Sequence, residues 1–181
     1  TTAGPFGGGY NYEFLWKEEI PDSIFGWNEN LTKVVIPTGI MCIGSEAFYS
    51  CTNLVSVELR PGIKEIERSA FSNCSSLQGI VFPESIETLG MSAFDASTEI
   101  KFSGNAPSCD EAYYATHTFS NSATIYYVEG TSGWTDSGDY DPDNNTWKGY
   151  KLATWNPDDE PDAGGESNTI EVPKGEYLIH V

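Results

Sequence analysis

The chain has 181 residues, 39% of them hydrophobic, and a formal charge of −18 from 27 acidic against 9 basic side chains. A chain of this size buries roughly two thirds of its unfolded surface, so the composition describes a folded domain and excludes a disordered tail. So few cations exclude nucleic acid and disfavour an anionic membrane surface, and no apolar run approaches the length of a membrane span.

The opening TTAGPFGGG reads as the start of a mature protein or of an excised fragment of a longer chain. Next, Tyr10, Tyr12, Phe14 and Trp16 alternate, which puts all four on one face of a strand. An aromatic platform for sugar stacking and a cap over a following array both fit; the cap is preferred, because every solenoid has an open apolar end. Residues 1–19 are therefore read as an N-terminal aromatic cap strand.

From Ile20 the chain repeats with a period of 23 residues. SEAFYSCTNLVSVEL (Ser45 to Leu59) lies over RSAFSNCSSLQGIVF (Arg68 to Phe82), so Ala47 falls on Ala70, Phe48 on Phe71, Cys51 on Cys74 and Leu54 on Leu77. A step back gives IPDSIFGWNENLTKVVI, and a step forward gives FPESIETLGMSAFDAS. One unit is I-P-x-x-I-x-x-I-G-x-x-A-F-x-x-C-x-x-L-x-x-V-x. Its last part alternates like a strand with one buried face. The β-branched I-x-x-I favours a second extended segment, and S-x-A-F reads as a tight helical turn. Four such units occupy 20–102, the last cut short at STEIKF.

So short a unit cannot bury its own apolar face, but stacked units can, with like residues in columns. Phe25, Phe48, Phe71 and Phe94 form one column, and Asn28, Cys51, Cys74 and Ser97 another. A slot that accepts Asn, Cys and Ser suits a small buried side chain near turn backbone, which makes Cys51 and Cys74 structural thiols and not nucleophiles. A Cys51–Cys74 disulfide is conceivable, although parallel side chains aim poorly for one. With no CxxC and no neighbouring histidine, the four cysteines predict no zinc site.

Residues 103–155 read as a closing unit, in which Thr118-Phe119 echoes the A-F slot and ATIYYV echoes the strand. Inside it, Asp139, Asp141, Asp143 and Asn145 alternate in the manner of calcium's oxygen ligands. Asn144 replaces the tight-turn glycine of a calcium-binding loop and Tyr150 its bidentate glutamate, which favours a plain acidic loop. Residues 156–168 have acidic linker composition, and 169–181 read as a terminal strand pair or the start of a next domain.

The IP, IG, A-F-x-x-C and L-x-x-V pieces resemble the 23-residue leucine-rich repeat of BspA-like bacterial surface proteins. The resemblance implies an α/β repeat solenoid: a right-handed leucine-rich-repeat superhelix of stacked parallel strands and short helical turns, with β-rich caps at both ends. It also implies an extracellular or bacterial cell-surface protein that binds a host or bacterial surface protein or glycan.

Stacked strands expose a continuous sheet face at the variable positions of L-x-x-V-x-L. The candidate binding residues there are Lys33, Val35, Val55, Ser56, Glu58, Gln78, Val81 and Lys101. Trp27, in a variable slot of the first unit, is the candidate exposed aromatic. No nucleophile, zinc-protease or phosphate-loop motif occurs, and neither His117 nor His180 lies near a nucleophile motif. The expectation is a non-catalytic adhesion module without cofactor, membrane insertion or nucleic-acid partner, working beside other domains of its parent chain. The alternatives are a structural spacer and, less favoured, a fragment of a glycan-active enzyme.

Overall fold

The computed structural model describes residues 11–15, 18–109, 117–159, 169–171 and 176–180. Each 23-residue unit forms one coil of a parallel β-solenoid. In chain order, β1 (Asn11–Leu15) precedes the coils; the short strands β2 (Glu19–Ile20), β4 (Cys42–Ile43), β6 (Glu65–Ile66), β8 (Thr88–Leu89) and β10 (Ser108–Cys109) build one sheet. The longer β3 (Lys33–Ile36), β5 (Ser56–Leu59), β7 (Gly79–Phe82), β9 (Glu99–Phe102), β11 (Thr124–Tyr127) and β14 (Tyr150–Thr154) stack in parallel in the other. The hairpin β12 (Tyr140–Asp141) and β13 (Thr146–Trp147) extends this long sheet past β14. At its opposite edge, β15 (Thr169–Glu171) lies beside β3, while β16 (Glu176–His180) pairs with β1 in a separate two-stranded sheet.

Strand alternation places Val34, Val57, Ile80, Ile100, Ile125 and Leu152 inside the long sheet, and Ile20, Ile43, Ile66 and Leu89 inside the short one; all are buried. The third side brings in the phenylalanines. Phe25, Phe48, Phe71 and Phe94 stack with ring centroids 5.1, 4.8 and 5.0 Å apart. Phe82 and Phe102 form a second stacked pair at 4.7 Å, onto which the fully buried Trp134 packs at 4.9 Å from Phe102. Trp134 in turn meets the buried Trp147 at 5.0 Å and donates from Nε1 to the Gly104 carbonyl at 3.2 Å.

The helical turn expected at S-x-A-F is not present, and the one helical element among the described residues is a 3-10 turn at Pro157–Asp159. The segment is a run of β-turns whose alternate N–H groups donate to the next coil: Glu46 to Arg68, Phe48 to Ala70 and Ser50 to Ser72, at 3.0, 2.8 and 2.9 Å. In each of the first three coils two residues of this segment take left-handed backbone, Glu46 and Ser50 in the second and Ser69 and Asn73 in the third. The physical reason is spacing. An α-helix is about 10 Å wide, whereas these coils repeat at about one strand spacing, ~4.8 Å. A helix on one side would splay the stack there, while an extended hydrogen-bonded turn keeps all three sides at equal pitch.

The expected N-terminal cap is described only in part. Asn11–Leu15 is a strand, as the alternation predicts, but Tyr10 and Trp16 lie outside the described residues. The polar column stands where the period puts it: the Cys51 and Cys74 thiols are 0% exposed, and each donates to a carbonyl of the preceding coil, Phe25 and Phe48, at 3.2 Å. The Ser97 hydroxyl does the same to Leu77 at 2.8 Å. No disulfide joins Cys51 and Cys74.

Two stability outcomes follow from the stack. Phe71→Ala, which removes a ring held on both faces, should cost about 3–5 kcal/mol in chemical denaturation; Phe25→Ala, at the half-buried end of the column, should cost less than half as much. At Gly90 a Cβ would press into the backbone of Glu67 and Arg68. Gly90→Ala should therefore lower stability by about 2 kcal/mol through overpacking, and an unchanged midpoint in chemical denaturation would argue against a pitch set by close backbone approach.

Candidate functional site

The outer face of the long sheet is assembled by register. One row runs Val35, Glu58, Val81, Lys101, Tyr126, Ala153, each opposite the next across adjacent strands. A second row runs Gly79, Glu99, Thr124, Lys151. Because Gly79 contributes no side chain, a depression opens there, walled by Ser56, Val81, Glu99 and Lys101. A Cβ at Gly79 would sit 3.1 Å from the Glu99 carbonyl oxygen.

Most of the sequence-predicted residues meet on this face, but with unequal access. Val55 and Val81 are 61% and 40% exposed, and Gln78 and Ser56 are exposed as well. Lys33 approaches Glu58 at 3.9 Å, and Glu58 also accepts from Arg60 at 3.2 Å. Val35 departs from expectation: it is only 3% exposed, on a strand that is not the outermost of the sheet, since Glu171 of β15 pairs opposite it. Val35 is thus withdrawn from the binding surface.

Sequence reasoning missed what surrounds Lys101. Its ammonium pairs with Glu99 at 2.7 Å and lies 5.6 Å from the Trp155 ring centroid and 6.0 Å from that of Tyr126. Trp155 is anchored by its indole N–H to the Phe102 carbonyl at 3.2 Å, 53 residues away in sequence. Carrying the repeat's phase through ATIYYV would have found Tyr126 beside Lys101; no periodic signal marks Trp155. On these two rows the cations Lys101 and Lys151 balance the anions Glu58 and Glu99, with Lys33 adjacent, on a chain whose formal charge is −18. The acidity is displaced elsewhere.

Part of it gathers on the short sheet, where Glu19, Cys42 and Glu65 align across neighbouring strands. There Glu19, Cys42 and Glu67 bring ligand atoms within 4.8 Å of one another. The Cys42 thiol is pushed up to about 12 by burial and by Glu67, Glu65 and Glu19; it stays protonated and faces Glu67 Oε1 at 3.8 Å. Of the four calcium-spaced residues, Asp139, Asp141 and Asn145 have side-chain partners within their own loop. Asp141 accepts from the Asp143 N–H and from the Asn144 amide, which holds its carboxyl below the usual range. Asp139 pairs with Lys148 at 3.4 Å, and Asn145 accepts from the Tyr140 hydroxyl at 3.1 Å. Trp27, 62% exposed, meets Tyr49 edge-on at 5.2 Å at the first coil's turn. His117 packs against the Tyr150 ring at 6.1 Å.

The thiols give a direct chemical check. Alkylation of Cys42 should be slow at pH 8 and keep accelerating to about pH 12, since thiolate is the reactive form and its charge is opposed by three glutamates. Glu67→Gln should shift that profile to lower pH; an unshifted profile would show that the carboxylate does not govern the thiol.

No curated protein and no solved structure matches the chain. Residues 18–140 match the BspA type leucine rich repeat region in six copies, beyond the four units delimited by the 23-residue period. With its coil period, its in-register strands and a match over more than half its length, this chain belongs to the BspA type leucine-rich-repeat family.

Proposed function

We propose that the chain is a non-catalytic adhesion module that engages a protein or glycan partner at an extracellular or bacterial cell surface through the outer face of the long sheet. The observation that carries this reading is the depression at Gly79, with exposed Val81 beside it and the ion-paired Glu99 and Lys101 on its far wall. A central dent with an apolar flank and satisfied polar walls has the anatomy of a recognition surface. Tyr126 and Trp155 continue it with aromatic area suited to a sugar ring or a peptide side chain. The family membership supports a binding role, and the surface location is carried over from the family's resemblance to bacterial surface proteins. The non-catalytic reading rests on the sequence inventory, in which no nucleophile-and-base motif occurs.

The test is binding to extracellular-matrix protein and glycan arrays by the wild type and by a Val55→Asp, Glu58→Arg, Val81→Asp triple variant. All three positions are exposed, so the fold should survive. A partner's affinity should fall by at least about tenfold, or 1.4 kcal/mol. Equal binding by the variant would remove this face from the reading, and an absence of partners on both arrays would favour a spacer.

A further inference from the structure

The long sheet continues past the first coil. β15 lies parallel to β3 in the register Thr169↔Lys33, Ile170↔Val34 and Glu171↔Val35, the place a strand of a preceding coil would take. The tail also has a repeat strand's spelling. Ile170-Glu171-Val172-Pro173 follows the pattern of Val34-Val35-Ile36-Pro37 and of Ile80-Val81-Phe82-Pro83, and its register with β3 is that of the repeat itself. In a parallel ladder, alternate residues turn their backbone groups to opposite sides. The Thr32 and Ile36 carbonyls accept from the second coil, from Val55 at 2.8 Å and Arg60 at 3.2 Å. Lys33 and Val35 therefore present theirs to the other edge, where β15 runs.

We propose that this edge of β3 is a strand-acceptor site. It takes an extended peptide of the pattern branched apolar residue, any residue, apolar residue, proline, by parallel strand addition, and the chain's own tail is its built-in occupant. An open sheet edge offers unpaired N–H and C=O groups in a row, which give affinity, while alternate side chains give selectivity. In sequence, Pro173 comes two positions after the last paired residue, Glu171, and a proline has no N–H with which to continue a ladder. The tail can reach from its own chain. Nine residues separate Asp159 from Thr169, a reach of about 33–36 Å, against six strand spacings from β14 to the place of β15, about 29 Å.

The test uses the full chain and a fluorescent nine-residue peptide, Asn168 to Glu176 (NTIEVPKGE), followed by anisotropy. Ile170→Asp disables the resident strand, so that variant should bind the peptide at least about tenfold more tightly than the wild type. Adding Val35→Pro removes the N–H that faces the tail while leaving the second coil's ladder intact. It should abolish peptide binding with an unchanged circular dichroism spectrum, and Lys33→Pro serves if that spectrum shifts. A peptide bound by neither chain, or still bound after the proline substitution, overturns the acceptor site. Equal binding by wild type and Ile170→Asp overturns the tail as occupant. A wild-type dimer in sedimentation that Ile170→Asp dissociates overturns occupancy within one chain and assigns the tail to a second copy's β3.

Discussion

The equality of coil pitch and strand spacing is the constraint on which this molecule depends. Both sheets and the turn side advance together by about 4.8 Å per coil, so a residue meets its equivalent one period away. Phenylalanine meets phenylalanine at 4.8 to 5.1 Å along the column. The same pitch brings the Cys51 and Cys74 thiols to the carbonyls of the preceding coil and leaves no room for a Cβ at Gly90. Cysteine in this slot is a small hydrogen-bonding rung. The neighbouring Cys51 thiol and burial together raise the Cys74 thiol well above the ordinary range, so it stays protonated and donates to the Phe48 carbonyl.

Stacking in register has an electrostatic consequence. Any charged position of the unit is copied beside itself in the next coil, so like charges form columns unless the sequence varies there. On the long sheet it does vary: Glu58 is flanked by Lys33 and Arg60, and Glu99 by Lys101. On the short sheet the carboxylates accumulate, and the Cys42 thiol registers the resulting field. One side of the solenoid therefore carries paired charge around the depression at Gly79, while another gathers Glu19, Glu65 and Glu67 around the Cys42 thiol. That asymmetry, more than apolar area, distinguishes the proposed binding face.

A solenoid must also manage its ends. At the C-terminal side the indoles of Trp134 and Trp147 pack onto the aromatic columns, and the β12–β13 hairpin turns the long sheet antiparallel. At the N-terminal side the tail strand continues the long sheet by one rung. The short sheet, by contrast, ends at β2 among the described residues.

The 23-residue period by itself determined the stacked architecture, the phenylalanine and cysteine columns and the inward residues of both sheets, because in a coil of fixed pitch sequence phase and spatial neighbourhood are the same thing. It also located most of the exposed row, Val55, Ser56, Glu58 and Val81. It did not determine the turn side: S-x-A-F is compatible with a helical turn locally, and only the demand that three sides share one pitch makes it extended. Nor did it determine the burial of Val35 or the surroundings of Lys101. Val35 is buried where a strand from the far end of the chain lies alongside β3, and Lys101 meets the ring of Trp155, which follows no repeat. Those contacts join residues outside the period, so only the tertiary structure decided them.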